Sequence, residues 1–340
     1  MALTRGISPP PWLTSALVPF VQQVSRDLTA TRVGAWRFES RYFSSLIHFA
    51  LEVEGLPQAF VAKFPKAQRR RGFTTLPARM PDDVRIAQLE HDALGALAKT
   101  WPQGATVFVS PVFFDSNTGM LVFRRLDGID VYSARLAGEL VSSPTPKGLV
   151  QILGSVGREL ARYHDATAGD GDIDASRIRL RIKNKADALG IAMPHAVDAL
   201  ELNDRTTLVP GIRGFEIRNM MIVNGTIVLF DPGRLRDEPP EADIARMIVS
   251  LRMLTWGTRH FLRAVNTTAI EAAFLEGYRE NRTINAAWLN LLIFRELAWN
   301  WQEGREVLAV RSWPGWFRAL LAISYVDFGF RRLWREASSS

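Results

Sequence analysis

Cysteine is absent from all 340 residues. Its absence excludes a disulfide framework, thiolate-bound metals and a cysteine nucleophile. It also fits a reducing compartment, so a cytoplasmic chain is expected. Long apolar runs are missing too. No window of about 18 residues is both continuously apolar and free of charge, which argues against a spanning helix. The opening stretch MALTRGISPPPWLTSALVPF holds one arginine, a proline run and no sustained apolar core, so no secretory signal is expected. There is no internal repeat. Negative charge is in deficit, with 42 Lys and Arg against 35 Asp and Glu and a net charge of +7. That excess suits anionic partners such as nucleotides, sugar phosphates or lipid head groups. No recognised nucleic-acid module accompanies it, so nucleic acid is not an expected partner.

What is present is an ordinary globular composition, 47% hydrophobic and 23% charged, with enough length for one large domain or two lobes. The pattern divides the chain into a leading helical extension (1–32), a strand-rich part (33–127) and a helix-rich part (128–340). In the strand-rich part, VGAWRF, SSLIHFALEV and AFVAKF alternate, and EGLPQ between the last two predicts an antiparallel hairpin. PKAQRRRGFTTLPARMP reads as an exposed loop with Arg69, Arg70 and Arg71 in solvent. Asp82 and Asp83 open a helix with Leu89, Leu94 and Leu97 on its apolar side. Strand-like ATVFVSPVFF and MLVFRRL follow, joined by a turn at DSNTG.

Beyond Gly128 the period changes. LVQILGSVGRELARYHDA (149–166) places apolar residues at helical spacing. RIRLRIKNK (177–185) alternates basic and apolar residues, so a strand is expected with Arg177, Arg179, Arg181, Lys183 and Lys185 on one face. Such a strand is either a charge-guarded edge or a surface for an anionic acceptor or an acidic partner. After Pro240 the chain reads as helical to its end. WFRALLAISYVDFGF (316–330) predicts a C-terminal helix buried on the core. Trp313, Trp316, Trp334, Arg331, Arg332 and Arg335 flank it and make a peripheral membrane contact the alternative. A β-rich front and an α-rich back predict an α+β, two-lobed fold, with a hinge near 123–129 as the natural place for a cleft.

Four chemistry-bearing residues stand in a telling order. Lys63 lies near the end of FVAKF, a run apolar enough that an unpaired ammonium would be costly there. Glu90 follows on the one long helix of that part, placed to pair with it. Asn219 and Asp231 flank MMIVNGTIVLF, whose Asn224-Gly225 pair is a strong hairpin turn, so the fold-back returns Asp231 to Asn219. Two oxygen ligands of that kind suit Mg²⁺, which keeps several waters and takes further ligands from phosphates. Phosphoryl transfer needs these parts: a braced lysine for nucleotide phosphates and an Asn/Asp pair for the metal.

In these segments the chain resembles the aminoglycoside phosphotransferase and choline kinase group of the protein-kinase-like superfamily. FVAKF is similar to its nucleotide-lysine strand, EHDALGAL to its glutamate helix and LVFRRLDG to its hinge strand. RELARYHDA resembles the helix carrying its Leu-Ala-x-x-His signature, with His164 at the histidine. RGFEIRNMMI resembles the catalytic loop and IVLFDPG the metal-binding strand, while EADIARMI and AFLEGYRE resemble the helices that follow. The ordered set covers about 35–280. It implies a two-lobed kinase-like fold with ATP or another NTP and Mg²⁺ as cofactors. Lys63 and Glu90 would serve the nucleotide, with Ser44 or Ser45 donating to phosphate, and Asn219 and Asp231 would hold the metal. Asp243 would brace the catalytic loop and His164 would serve packing and hydrogen bonding.

The resembled loop reads His-Gly-Asp-x-x-x-x-Asn, whereas here those first three positions are Ile212, Arg213 and Gly214. The usual catalytic Asp is absent, and Glu216 is the nearest substitute base. Three readings follow. The first is a phosphotransferase with an altered base acting on a hydroxyl of a sugar, amino alcohol or related metabolite, including an anionic one. The second is a nucleotide-binding pseudokinase-like regulator or scaffold with a protein partner. The third is nucleotidyl transfer on the same fold. Aminoglycosides are disfavoured as acceptors, because those cations call for an acidic pocket and this chain is basic.

Overall fold

Alternating apolar side chains in the first third of the chain fold into antiparallel strands. The computed structural model describes residues 10–27, 32–53, 56–67, 74–130, 147–254, 267–309 and 313–339. The loop of Arg69, Arg70 and Arg71 lies outside the described residues. The chain forms two compact units, residues 1–98 with 109–127 and residues 99–108 with 128–340.

In the first unit, β1 (Arg32–Ser40), β2 (Ser44–Val53), β3 (Leu56–Pro65), β5 (Phe113–Asp115) and β6 (Met120–Arg124) form a sheet ordered β1-β2-β3-β6-β5. The expected β2–β3 hairpin is there, with Leu46 opposite Lys63 and Ile47 opposite Ala62. Because side chains alternate across a strand, Ile47, Phe49, Phe60, Ala62, Phe64, Met120 and Val122 share one face. Helix α1 (Pro11–Asp27) closes that face with Leu13, Leu17 and Phe20. Phe20 packs edge-on to Phe49 and Phe60. Each such buried side chain contributes roughly 1.5–3 kcal/mol, so α1 completes this core instead of standing apart from it.

The opposite face of the sheet carries Arg37, Glu39, His48 and Lys63 by the same alternation. Helix α2 (Pro81–Thr100) begins where Asp82 and Asp83 lie in its first turn. The Asp83 carboxylate accepts from the Met80 and Ala67 backbone amides at 3.1 and 2.6 Å. Ala87, Glu90, Leu94 and Leu97 make its buried stripe, with Leu89 half-buried beside it.

In the second unit, β4 (Thr106–Phe108), β11 (Thr226–Leu229), β10 (Met220–Val223) and β7 (Ile129–Asp130) form one sheet in that order. β12 (Leu235–Glu238), β9 (Arg205–Ile212) and β8 (Gly169–Asp172) form another. Helix α3 (Lys147–Thr167) crosses α6 (Thr268–Arg279) at very close range. A Cβ on Gly157 would strike the Phe274 carbonyl, and one on Gly277 would strike the Gly154 carbonyl. Glycine is what lets these two backbones meet.

The basic segment 177–185 is a helix, not the strand expected from its alternation. It lies inside α4 (Ala175–Leu189), where Asp174 caps the N-terminus by accepting from the Arg177 amide and Gly190 ends the helix at φ 71°. A run of alternating Arg and Ile also satisfies a helical period when its apolar members fall four apart. Ala175, Ile182, Ala186 and Leu189 are the buried face, and the two terminal caps decide the matter.

Helix α5 (Glu241–Met253) is buried along most of its length and packs on α7 (Ala286–Ala309). The C-terminal segment consists of α8 (Gly315–Leu321), a π-helical stretch Ala322–Asp327 and α9 (Phe328–Ser339). Only one side of it is buried. Val326, Phe330, Leu333 and Trp334 face the core, while Trp316, Leu320, Ile323 and Phe328 remain exposed. The expectation of a wholly buried helix is corrected to that extent. Among the described residues no helix is long and apolar enough to cross a membrane.

Candidate functional site

The lysine expected to need a partner has one. Lys63 Nζ lies 2.6 Å from Glu90 Oε1, joining β3 to α2 across 27 residues of sequence. The Glu90 side chain is 3% exposed and that of Lys63 13%. At such burial neither charge is stable alone, and each holds the other in place. The Lys63 ammonium is therefore presented in a fixed position on the Arg37–His48 face of the sheet.

Ser44 and Ser45 separate at this point. The register places Ser44 with Leu46 and His48, on the Lys63 face, and Ser45 with Ile47 and Phe64, on the core face. Both are buried, and the Ser45 hydroxyl meets no hydrogen-bond partner among the described residues. Of the two hydroxyls expected to serve phosphate, Ser44 thus lies on the Lys63 face and Ser45 on the opposite one. The tip between β1 and β2 is closed by Arg41 N donating to Ser44 O at 2.8 Å. Lys66, which the sequence reading passed over, anchors it. Its buried ammonium donates to Arg41 O at 2.5 Å and Ser40 Oγ at 3.2 Å, and its amide to Phe43 O at 2.8 Å. Beside the tip, Glu39 is held well below the usual carboxylate range, to about 2. The His48 hydrogen bond drives this, with Arg41 and Arg37 adding to it against the opposing effect of burial.

In the second unit the expected hairpin forms as written. Met220–Val223 pairs with Thr226–Leu229, and Asn224 and Gly225 both take positive φ, 50° and 80°. That is the geometry a two-residue turn requires. The fold-back brings Asp231 to Asn219, and Phe230 N donates to Asn219 O at 3.0 Å. Asn219 Nδ2 donates to Gly214 O at 2.9 Å and reaches Asp231 O at 3.5 Å. Two carbonyls around the amide nitrogen fix which end is which, so Oδ1 is the atom left to take a cation. Asp231 itself sits at φ 57°, a region costly for a residue with a side chain and tolerated best by Asn and Asp. Among the described residues no cluster of three or more His, Asp or Glu could hold a metal. Asn219 and Asp231 supply two hard oxygen donors, a set that fits Mg²⁺ with water and phosphate completing its shell.

Gly214 is where the loop departs from expectation for a steric reason. Its amide donates to Pro232 O at 3.0 Å, and a Cβ there would run into the Asp231 carbonyl oxygen. The backbone is packed too closely on the Asp231–Pro232 backbone for any side chain at 214. Glu216, the candidate substitute base, is buried and ion-paired to Arg218. Burial pushes its carboxyl above the ordinary range, and the Glu296 and Glu303 charges add to this while Arg218 opposes it.

Beneath the loop lies a polar network legible only in outline. His164 is fully buried, with Nδ1 2.9 Å from Tyr278 Oη and Nε2 3.1 Å from Asp243 Oδ2. Asp243 Oδ1 accepts from the Ile212 amide at 2.8 Å and from Arg246 at 2.6 Å. Asp243 thus braces the loop at its first residue, as expected. Arg246 also binds Glu238, which pairs with Arg295 at 3.0 Å. Burial opposes ionisation of Glu238, yet Arg246 and Arg295 outweigh it and bring its pKa down to about 2. Glu238, Arg246 and Arg295 carried no recognisable spacing, because their partners lie on different elements.

No family model matches the chain, and no curated protein matches it in sequence. Solved structures do match in shape. A glucosamine kinase is 17% identical, with 98% of this chain and 93% of that chain covered and a TM-score of 0.52. An amicoumacin kinase in complex with AMP-PNP and Ca²⁺ is 13% identical, with 87% and 88% covered and a TM-score of 0.51. The likeness is one of fold. The chain has the α+β, protein-kinase-like architecture of small-molecule kinases, with an N-terminal antiparallel sheet and a helical remainder.

Proposed function

We propose that the chain is an ATP-dependent phosphotransferase acting on a hydroxyl of a small molecule, with an altered catalytic loop. The observation that carries this is the Asn219 amide nitrogen tied to the backbone carbonyls of Gly214 and Asp231, which leaves its oxygen as the end to take a cation beside Asp231. In this reading Lys63, braced by Glu90, binds nucleotide phosphates, Ser44 donates to them, and Asn219 and Asp231 hold Mg²⁺. The bound metal supplies charge neutralisation of the phosphates. Phosphoryl transfer rests mostly on positioning and electrostatics, and a general base adds about 10²–10⁴-fold. A loop without the usual Asp at 214 is therefore compatible with slow turnover. Glu216 is the only carboxylate between Ile212 and Asn219, and burial raises its pKa, the direction that makes a carboxylate a stronger base. Arg213 and Arg234 are hydrogen-bonded backbone neighbours beside Asp231, and Arg236 follows two residues on. This favours an anionic acceptor.

A second reading has its own observation. Gly214 leaves no room for the missing carboxylate, as expected if the loop now serves only to hold nucleotide in a pseudokinase-like regulator. Incubation with Mg-ATP and a panel of hydroxyl acceptors, read by mass spectrometry, separates the readings. An acceptor heavier by one phosphoryl group supports transfer, and a nucleotide adduct supports nucleotidyl transfer instead. Tight Mg-ATP binding with no product across the panel supports the regulator. Failure of Mg-ATP to bind at all overturns both main readings. If Glu216 is the base, Glu216→Gln lowers kcat about 10²-fold and removes the acidic limb of the pH–rate profile.

A further inference from the structure

The C-terminal segment presents one unusual surface. On its inner side, Trp301 Nε1 donates to Asp327 at 2.7 Å and Arg305 makes two bonds to the same carboxylate at 2.8 Å. Trp334 Nε1 donates to Ala192 O at 3.2 Å. With Val326, Phe330, Leu333 and Trp334 buried, the segment is firmly held. Its outer side nevertheless carries Trp316, Leu320, Ile323 and Phe328 at 71%, 52%, 68% and 63% exposure. These residues follow at steps of four, three and five. The five-residue step spans the π-helical stretch, whose wider winding absorbs the extra residue and keeps Phe328 in line. The line then continues into exposed Arg331 and Arg335.

We propose that this face docks on an anionic lipid surface. Contiguous exposed apolar side chains mark an interaction site, and three properties select lipid. A helix face is a convex ridge, which a bilayer accommodates by burying it about 5–10 Å among the head groups. Tryptophan is the side chain best suited to that boundary, with an apolar ring and one donor. The apolar stripe ends in arginines on a chain of net charge +7, which complements phosphatidylserine or phosphoinositide head groups. A second copy fits less well, because parallel stripe-to-stripe pairing would set Arg331 and Arg335 against themselves. The proposal is independent of the phosphotransfer reading. It gives that reading a location at which the chain would act.

Co-sedimentation of the full chain tests it, using neutral phosphatidylcholine vesicles and vesicles containing about 30% phosphatidylserine. Binding to the anionic vesicles is expected to exceed binding to neutral ones by about tenfold or more and to weaken as salt rises. Trp316→Ser with Ile323→Ser should lower it by about tenfold. Arg331→Gln with Arg335→Gln should lower it and flatten the salt dependence. All four positions are exposed, and unchanged thermal unfolding confirms that the variants are folded. Three outcomes overturn the proposal. They are no binding to either vesicle, equal binding by native chain and the apolar variant, and a native dimer that the apolar variant dissociates.

Discussion

Gly214 and Asp231 carry opposite kinds of backbone constraint a few ångströms apart. At Gly214 the neighbouring Asp231 carbonyl excludes a Cβ, so Gly214→Ala is expected to destabilise by about 1–3 kcal/mol through overpacking. Urea denaturation reads this directly. Gly214→Asp should cost at least as much and should not raise turnover, because the carboxylate cannot be placed without moving the Asp231–Pro232 backbone. At Asp231 the left-handed backbone makes the replacement matter as much as the removal. Asp231→Asn keeps a side chain that tolerates this conformation and should leave stability nearly unchanged. Asp231→Ala should lose about 1–2 kcal/mol. Both variants should lose Mg²⁺-dependent nucleotide affinity, measured by calorimetry with and without the metal. At this scale the sequence was informative where a residue's partner lay within its own hairpin. It was silent where the partner came from afar. Asn219 and Asp231 were readable because Asn224-Gly225 dictates a turn, whereas the crowding at Gly214 depends on a loop that only folding brings near.

Elements were legible in proportion to how strongly their ends were marked. Helix α2 announces itself with Asp82 and Asp83, and the β2–β3 hairpin with its alternation. Helix α4 was misread because its alternating charges satisfy a period of two, while the deciding signals, Asp174 and Gly190, lie outside the run. Asp243 was expected to brace the loop, but the charged partners around it escaped for another reason. Asp243, Glu238, Arg246 and Arg295 come from α5, β12 and α7 and form one buried charge network. Arg246 sits among Glu238, Asp243 and Glu296, and these carboxylates hold it firmly protonated against burial. Arg246→Met leaves Asp243 buried without its arginine and Glu238 and Glu296 with Arg295 alone, so a loss of about 3–5 kcal/mol is expected. Proteolysis should then cut the Ile212–Asn219 loop sooner than in the native chain, because the Ile212 anchor weakens with Asp243.

Over the whole molecule the same network sets acid tolerance. Glu238 is lowered from 4.5 to about 2 in the folded chain. A depressed carboxylate stabilises the fold above its unfolded pKa, and that contribution disappears as pH falls through the folded value. The window is therefore about pH 4.5 down to 2, and Glu238 alone contributes about 3 kcal/mol across it. Glu39, also near 2, titrates over the same range. Stability measured by urea midpoint should drop steeply below about pH 5. Glu238→Gln should start lower and show a shallower drop.

One short strand has a further consequence. β4 sits in the sequence between parts of the first unit, yet it hydrogen-bonds in parallel with β11, Thr106 to Ile227 through Phe108 to Leu229. The chain thus passes from one unit to the other three times. During synthesis at about 5–20 residues per second, β4 waits on the order of ten seconds for the strand that will pair with it. Until then the sheet's outer strands, β4 and β7, lack the inner pair that joins them. A gene cut at residue 128 would separate β4 from its sheet permanently. The two units are therefore not interchangeable parts that could be expressed, swapped or inherited one without the other.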